Sequence, residues 1–107
     1  MNLPKVVQEL IKAQDTFDSV AYANCFSETG VMYDEGKTHS GKKEIQQWIA
    51  KGNAKYKTVM RPLAFIETGN ESMLSSEISG TFEGSPVTLK FYFEIMEGLI
   101  QSLKVTG

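Results

Sequence analysis

The chain has one cysteine, Cys25, one histidine, His39, one arginine, Arg61, and one tryptophan, Trp48. A lone cysteine closes no internal disulfide. The fold must therefore be held by its core, as in a reducing, cytoplasmic compartment. His39 has no second histidine, cysteine or paired carboxylate at ligand spacing, so neither a metal nor another cofactor is expected. Basic residues are neither abundant nor clustered. Lys and Arg number 11 against 13 Asp and Glu, a net charge of −2, which gives no footprint for nucleic acid and no basic run for a membrane surface. No apolar run approaches the length of a membrane span. The opening MNLPKVVQELIKAQD mixes charges among its apolar residues and does not read as a signal peptide. Repeats, low-complexity tracts and linkers are missing too.

What is present suits one domain over residues 1–107. Apolar residues make up 41% and charged residues 22%, an ordinary globular balance. A chain of this size buries roughly two-thirds of its unfolded surface, enough for one core and one cavity. Leu3 to Phe17 reads as a helix, with Pro4 in its first turn and Val6, Val7, Leu10, Ile11, Gln14 and Phe17 at helical spacing. Gln14 is the one polar residue of that stripe and is expected to project into the interior. A shorter helix, capped by Asp18 or Ser19, runs to Phe26, with Val20, Ala23 and Phe26 as its buried stripe. Val31 to Glu35 is a strand and Gly36 to Ser40 a loop. Lys42 to Lys55 is a third helix, with Ile45, Trp48 and Ile49 inward and Ser40 as a candidate cap.

From Lys57 the period changes to two. Strands are expected over Thr58–Glu67, Ser72–Phe82, Val87–Met96 and Leu99–Val105. Pro62 makes the first of these an edge strand or a bulged one. In the third, Val87, Leu89, Phe91, Phe93 and Ile95 alternate cleanly with polar neighbours. Helices first and an antiparallel meander after them predict an α+β layer architecture. A strongly curved sheet folded around a long helix can leave a cavity between them.

The stretch GVMYDEGKTHSG, residues 30–41, poses the main functional question. Asp34-Glu35-Gly36-Lys37 is good turn chemistry, with Asp first and Gly in the bend. Asp34 could equally be a carboxylate at the mouth of a pocket, where apolar surroundings would raise its pKa. If it points inward, Tyr33 and Glu35 point outward.

The order helix, helix, strand, helix, then four antiparallel strands resembles the nuclear transport factor 2-like superfamily, and within it the SnoaL-like proteins. Asp18 followed by SVAYANCFSETGVMYDEGK looks like the second helix and first strand of that family. SGKKEIQQWI resembles its third helix, and FYFEIMEGLIQSL its final hairpin. The resemblance covers nearly the whole chain and implies the fold, a cone-shaped, strongly curved antiparallel sheet wrapped around the N-terminal helices with an internal cavity, but not one function. Its members include steroid isomerases, polyketide cyclases, epoxide hydrolases, dehydratases and non-catalytic binding modules. In the isomerase pattern the general base is an aspartate eight residues after the Phe that closes helix two, and the residue eight positions after Phe26 is Asp34. The isomerases' oxyanion-hole tyrosine falls on Leu10, and their protonated aspartate on Phe93 or Tyr92. The largest catalytic contribution of that chemistry is thus missing. The Asp-Arg-Asp set of the epoxide hydrolases is missing as well, since no aspartate follows Arg61.

The resemblance implies a small, largely apolar organic molecule bound in an internal pocket. Asp34 is the catalytic candidate, and Gln14, Tyr22, His39, Trp48, Phe91 and Phe93 are the ligand-binding candidates. Proton transfer by Asp34, in an isomerase, cyclase or dehydratase, is one alternative. A non-catalytic dimerisation or ligand-sensing module is another. Thr88, Lys90, Tyr92 and Glu94, beside Glu77, Ser79 and Thr81, form a mixed outer sheet face. In this superfamily that face often forms a homodimer, which the resemblance implies here.

Overall fold

The computed structural model describes residues 1–107 and turns these periodicities into three helices and six strands. They are α1 (Lys5–Asp15), α2 (Ser19–Asn24), β1 (Phe26–Asp34), β2 (Lys37–Ser40), α3 (Gly41–Tyr56), β3 (Val59–Thr68), β4 (Glu71–Ser79), β5 (Val87–Met96) and β6 (Leu99–Thr106). The strands form one curled sheet in the order β2-β1-β6-β5-β4-β3, with the helices on one face. The chain is therefore α+β as expected.

α1 forms because Val6, Val7, Leu10, Ala13 and Gln14 make one buried stripe behind Pro4. It stops where Phe17 takes a positive φ of 56° and the Asp18 N–H donates to the Ala13 carbonyl at 2.8 Å. Asp18 then caps α2, its carboxylate accepting from the Ala21 N–H at 3.0 Å. α2 ends sooner than its sequence suggests. Phe26 already belongs to β1, and Val20 is 53% exposed, so Tyr22 and Ala23 are the buried pair of this helix. Ser40 holds the cap position of α3, but its side chain does not cap. The Glu44 carboxylate instead accepts from the Ser40 N–H at 3.0 Å.

Two features of the sheet depart from the sequence reading. Residues 37–40 form a strand rather than a loop, pairing with β1 through the register Asp34↔Lys37 to Val31↔Ser40. The two-residue turn between them has Glu35 at φ 52° and Gly36 at φ 74°, the positive pair that a type I′ hairpin demands. Additionally, β1 runs parallel to β6, with Met32 beside Leu103 and Tyr33 beside Lys104; every other pairing is antiparallel. Pro62 lies on the edge strand β3 and at a register shift between Pro62 and Ala64, so both ways of tolerating a strand proline are used.

The inner face carries Leu74, Ile78, Phe91, Phe93 and Leu103, which pack on α1, α2 and α3. Buried polar bonds set how far the layers stand apart at one end. The Gln14 amide nitrogen lies 3.0 Å from Asn53 Oδ1 on α3, and 2.8 Å from both the carbonyl and the hydroxyl of Thr58. Beside it, Asp15 Oδ1 accepts from the Met60 N–H at 2.8 Å. The same C-terminal end of α3 is fixed further by the Tyr56 carbonyl, which accepts from the Thr81 N–H at 2.7 Å. A Cβ on Gly80 would come within 2.5 Å of that carbonyl, so only glycine allows the approach.

Replacing Gln14 by Leu removes the donor that Asn53 and Thr58 share and leaves buried acceptors unpaired. Urea unfolding is expected to show a loss of about 2 kcal/mol at unchanged m-value. An unchanged midpoint would mean that the clamp contributes nothing.

Candidate functional site

The inner layer is not filled throughout. A cavity of about 650 Å³ lies between α3 and the sheet, within the range that accommodates small organic ligands. Buried Gln14, Tyr22, Met32, Ile49 and Phe91 line its inner part. The exposed residues among its walls are Glu35 and Lys37 from the β1–β2 turn and Lys51 and Lys55 from α3, so the mouth opens there.

Asp34 is both things that its sequence context allowed. It is the first residue of the type I′ turn, and it also lines the cavity. Strand alternation explains this. Met32 is 1% exposed and points into the core, and Asp34, two residues on, shares its face. Tyr33 falls on the outer face and is 42% exposed. Partial burial pushes the Asp34 carboxyl up to about 6. The Glu35 charge acts in the same direction, and a backbone hydrogen bond from Glu35 opposes both.

Tyr22 stands at the same cavity, and burial, with the Asp34 charge second, pushes its phenol well above its ordinary range. It therefore stays protonated and presents an O–H donor. Cys25 is a neutral thiol, buried behind α2, with burial pushing it up to about 11. No three His, Cys, Asp or Glu side chains converge in a way that could hold a metal ion.

Of the residues singled out in the sequence, Gln14, Tyr22, Asp34, Trp48 and Phe91 line the cavity. Gln14 does so with its amide nitrogen already engaged by Asn53 and Thr58. His39 and Phe93, also expected there, do not border it. His39 lies on β2 opposite Met32 and packs tilted against Trp48, ring centroids 5.2 Å apart, and of the two rings only Trp48 borders the space. Its Nε2 is sequestered without a partner. Phe93 faces inward like Phe91, but the cavity borders only the Val87–Phe91 end of β5; Phe93 is 1% exposed in the core. Of the positions that the resemblance gives for the isomerases' oxyanion donors, Leu10 and Phe93 are buried apolar core, and Tyr92, the alternative to Phe93, is exposed on the outer sheet face, so none supplies a donor to the cavity.

The sequence reading missed the mouth. Lys51, Gly52, Lys55 and Tyr56 follow Trp48 on one face of α3 and line the cavity with it. The available signal was Gly52, a glycine inside a helix. Phe82 forms the wall opposite, its ring edge-on to Tyr56 at 6.2 Å between centroids.

No protein-family model and no curated protein matches the sequence. Solved structures do. A proposed polyketide cyclase from Sinorhizobium meliloti, SMa1630, is 32% identical, covering 97% of this chain and 95% of its own, with a TM-score of 0.92. A protein with a ketosteroid isomerase-like fold from Catenulispora acidiphila, solved with trimethylamine, has a TM-score of 0.89 at 18% identity over 99% of this chain and 87% of its own. SalBIII, an epoxide hydrolase/cyclase-like enzyme of pyran ring formation in salinomycin, has a TM-score of 0.81 at 18% identity over 94% and 86%.

The Asp34 pKa has a consequence for stability. A carboxyl that is harder to ionise in the folded state binds its proton more tightly there than in the unfolded chain. Its contribution is therefore fully present below about pH 4 and is lost as pH rises through about 6. Asp34→Asn is expected to match wild type near pH 4 and to exceed it in urea midpoint at pH 7. A constant difference across that range would show that Asp34 titrates normally.

Proposed function

The chain belongs to the SnoaL-like proteins of the nuclear transport factor 2-like superfamily, and from that membership we propose that its cavity binds a small, largely apolar organic molecule. The observation that carries the reading is a half-buried carboxylate, Asp34, in the lining of a space walled chiefly by apolar and aromatic side chains. Such sites bury most of a ligand's surface and orient it with a few polar groups. Here those groups are the Asp34 carboxyl, the Tyr22 phenol and the Gln14 amide oxygen, the amide nitrogen being held by Asn53 and Thr58. The cavity is open rather than filled by side chains, which supports binding over a pure dimerisation role. The buried free thiol of Cys25 fits a reducing, cytoplasmic compartment.

The Asp34 pKa of about 6 favours a second step, proton transfer. A general base works best with a pKa near the operating pH. Asp34 would take a proton from carbon beside a carbonyl and return it elsewhere. The Tyr22 O–H would supply the hydrogen bond to the developing enolate that Leu10 and Phe93 do not. An isomerase, cyclase or dehydratase reaction fits that scheme.

A panel of neutral alicyclic and aromatic ketones, titrated calorimetrically, tests the binding. Failure of the whole panel would count against it. Exchange of the α-protons of a bound ketone in heavy water, followed by proton NMR, tests the second step. Wild type is expected to exceed Asp34→Asn by about 10²-fold or more, with binding retained. Equal rates would remove Asp34 from any catalytic role.

We also propose a homodimer through the outer sheet face. Tyr33, Ile66 and Tyr92 are exposed there around a shallow hollow that Met73 and Lys104 complete. Isolated exposed hydrophobes are ordinary, but several around one depression suit a self-complementary contact. Light scattering is expected to give about twice the 11.9 kDa chain mass, and Ile66→Lys the single-chain mass. A wild-type mass near that of one chain at the same concentration would refute the contact.

A further inference from the structure

Gly52 has no ordinary reason to be glycine. It sits in the body of α3, where glycine is among the least favourable residues. Its φ is not left-handed, so no bend requires it, and a Cβ there would meet nothing within 4 Å, so no close packing requires it. What lies beside it is the cavity. The missing side chain keeps the mouth open at this point.

Lys51 and Lys55 flank the gap, one helical turn apart and therefore on the same side of α3. Lys37 reaches the same opening from the β1–β2 hairpin. The three ion pairs of the chain join Lys5 to Glu9, Lys42 to Glu28 and Arg61 to Glu77, so none of the mouth lysines is neutralised by one. The Lys55 ammonium is held 5.0 Å from the Tyr56 ring centroid, at the cavity wall. Glu35 is the opposing charge at the rim. A chain of net charge −2 thus presents three exposed lysines against one exposed glutamate, Glu35, and the half-buried Asp34 around an apolar space.

Resting on the binding function proposed above, we infer that the ligand is an apolar molecule with one anionic group at its outer end. Lys51, Lys55 and Lys37 receive that group, and the body of the molecule passes over Gly52. The direction of entry follows from Asp34. Its carboxylate, half-buried in the cavity wall where the three lysines are exposed, repels a second anion, so the neutral end of the ligand goes in first and the charge stays with the lysines. Gly52 then decides which ligands enter, and the lysines decide their orientation.

Two fluorescent probes with the same rings separate these contributions: anilinonaphthalene sulfonate, an anion, and N-phenylnaphthylamine, its neutral counterpart. The wild-type protein at low salt is expected to bind the anion about tenfold more tightly. In Lys51→Gln/Lys55→Gln most of that preference disappears, while affinity for the neutral probe stays within about twofold. Added salt reduces the preference in wild type and has little effect in the variant. Gly52→Leu, which improves helix propensity, is expected to weaken both probes at least about tenfold, with circular dichroism unchanged. Equal affinity for the two probes, or a preference that survives in the double variant, overturns the anionic inference and leaves the binding reading standing. Tight binding of both probes to Gly52→Leu overturns the role of the gap. Binding of neither probe to wild type overturns both readings.

Discussion

The register of β1 against β6 is the constraint on which the rest of the site depends. Met32 pairs with Leu103, and both are buried. In a strand of period two this fixes Asp34 on the inner face and Tyr33 on the outer one. A slip of one residue would bury Tyr33, expose Met32 and turn the carboxylate to solvent, losing core packing and site together. The raised pKa of Asp34 is thus a by-product of hydrophobic packing two residues away. The hairpin that follows reinforces it, because Glu35 and Gly36 turn the chain tightly enough for β2 to pair back on β1.

Much of the fold was legible because it is local. The stripe of α1 and the alternation of β5 are periodicities that burial alone imposes. What was not legible depends on partners distant in sequence. The parallel pairing of β1 and β6 joins residues some seventy positions apart, and nothing in either strand announces it. β2 contains only Lys37, Thr38, His39 and Ser40, with no apolar residue to mark it, and exists because the turn delivers it to an unpaired edge.

The site was legible to a similar degree. Asp34, Trp48 and Phe91 follow from periodicity and resemblance. Phe91 and Phe93 cannot be told apart by alternation, since both face inward and only the position of the cavity along β5 separates them. The lysines of α3 look like an ordinary solvated face until the opposite wall is known. Related folds add a likeness of scaffold, and the chemistry comes from the particular side chains set upon it.

Trp48 is the only tryptophan of the chain, and it borders the cavity while packing against the His39 ring. Its indole is therefore a built-in optical reporter. Any molecule that enters changes the polarity around one face of that ring, and emission from the whole protein comes mainly from this position. The protein carries its own gauge of occupancy, readable without a label.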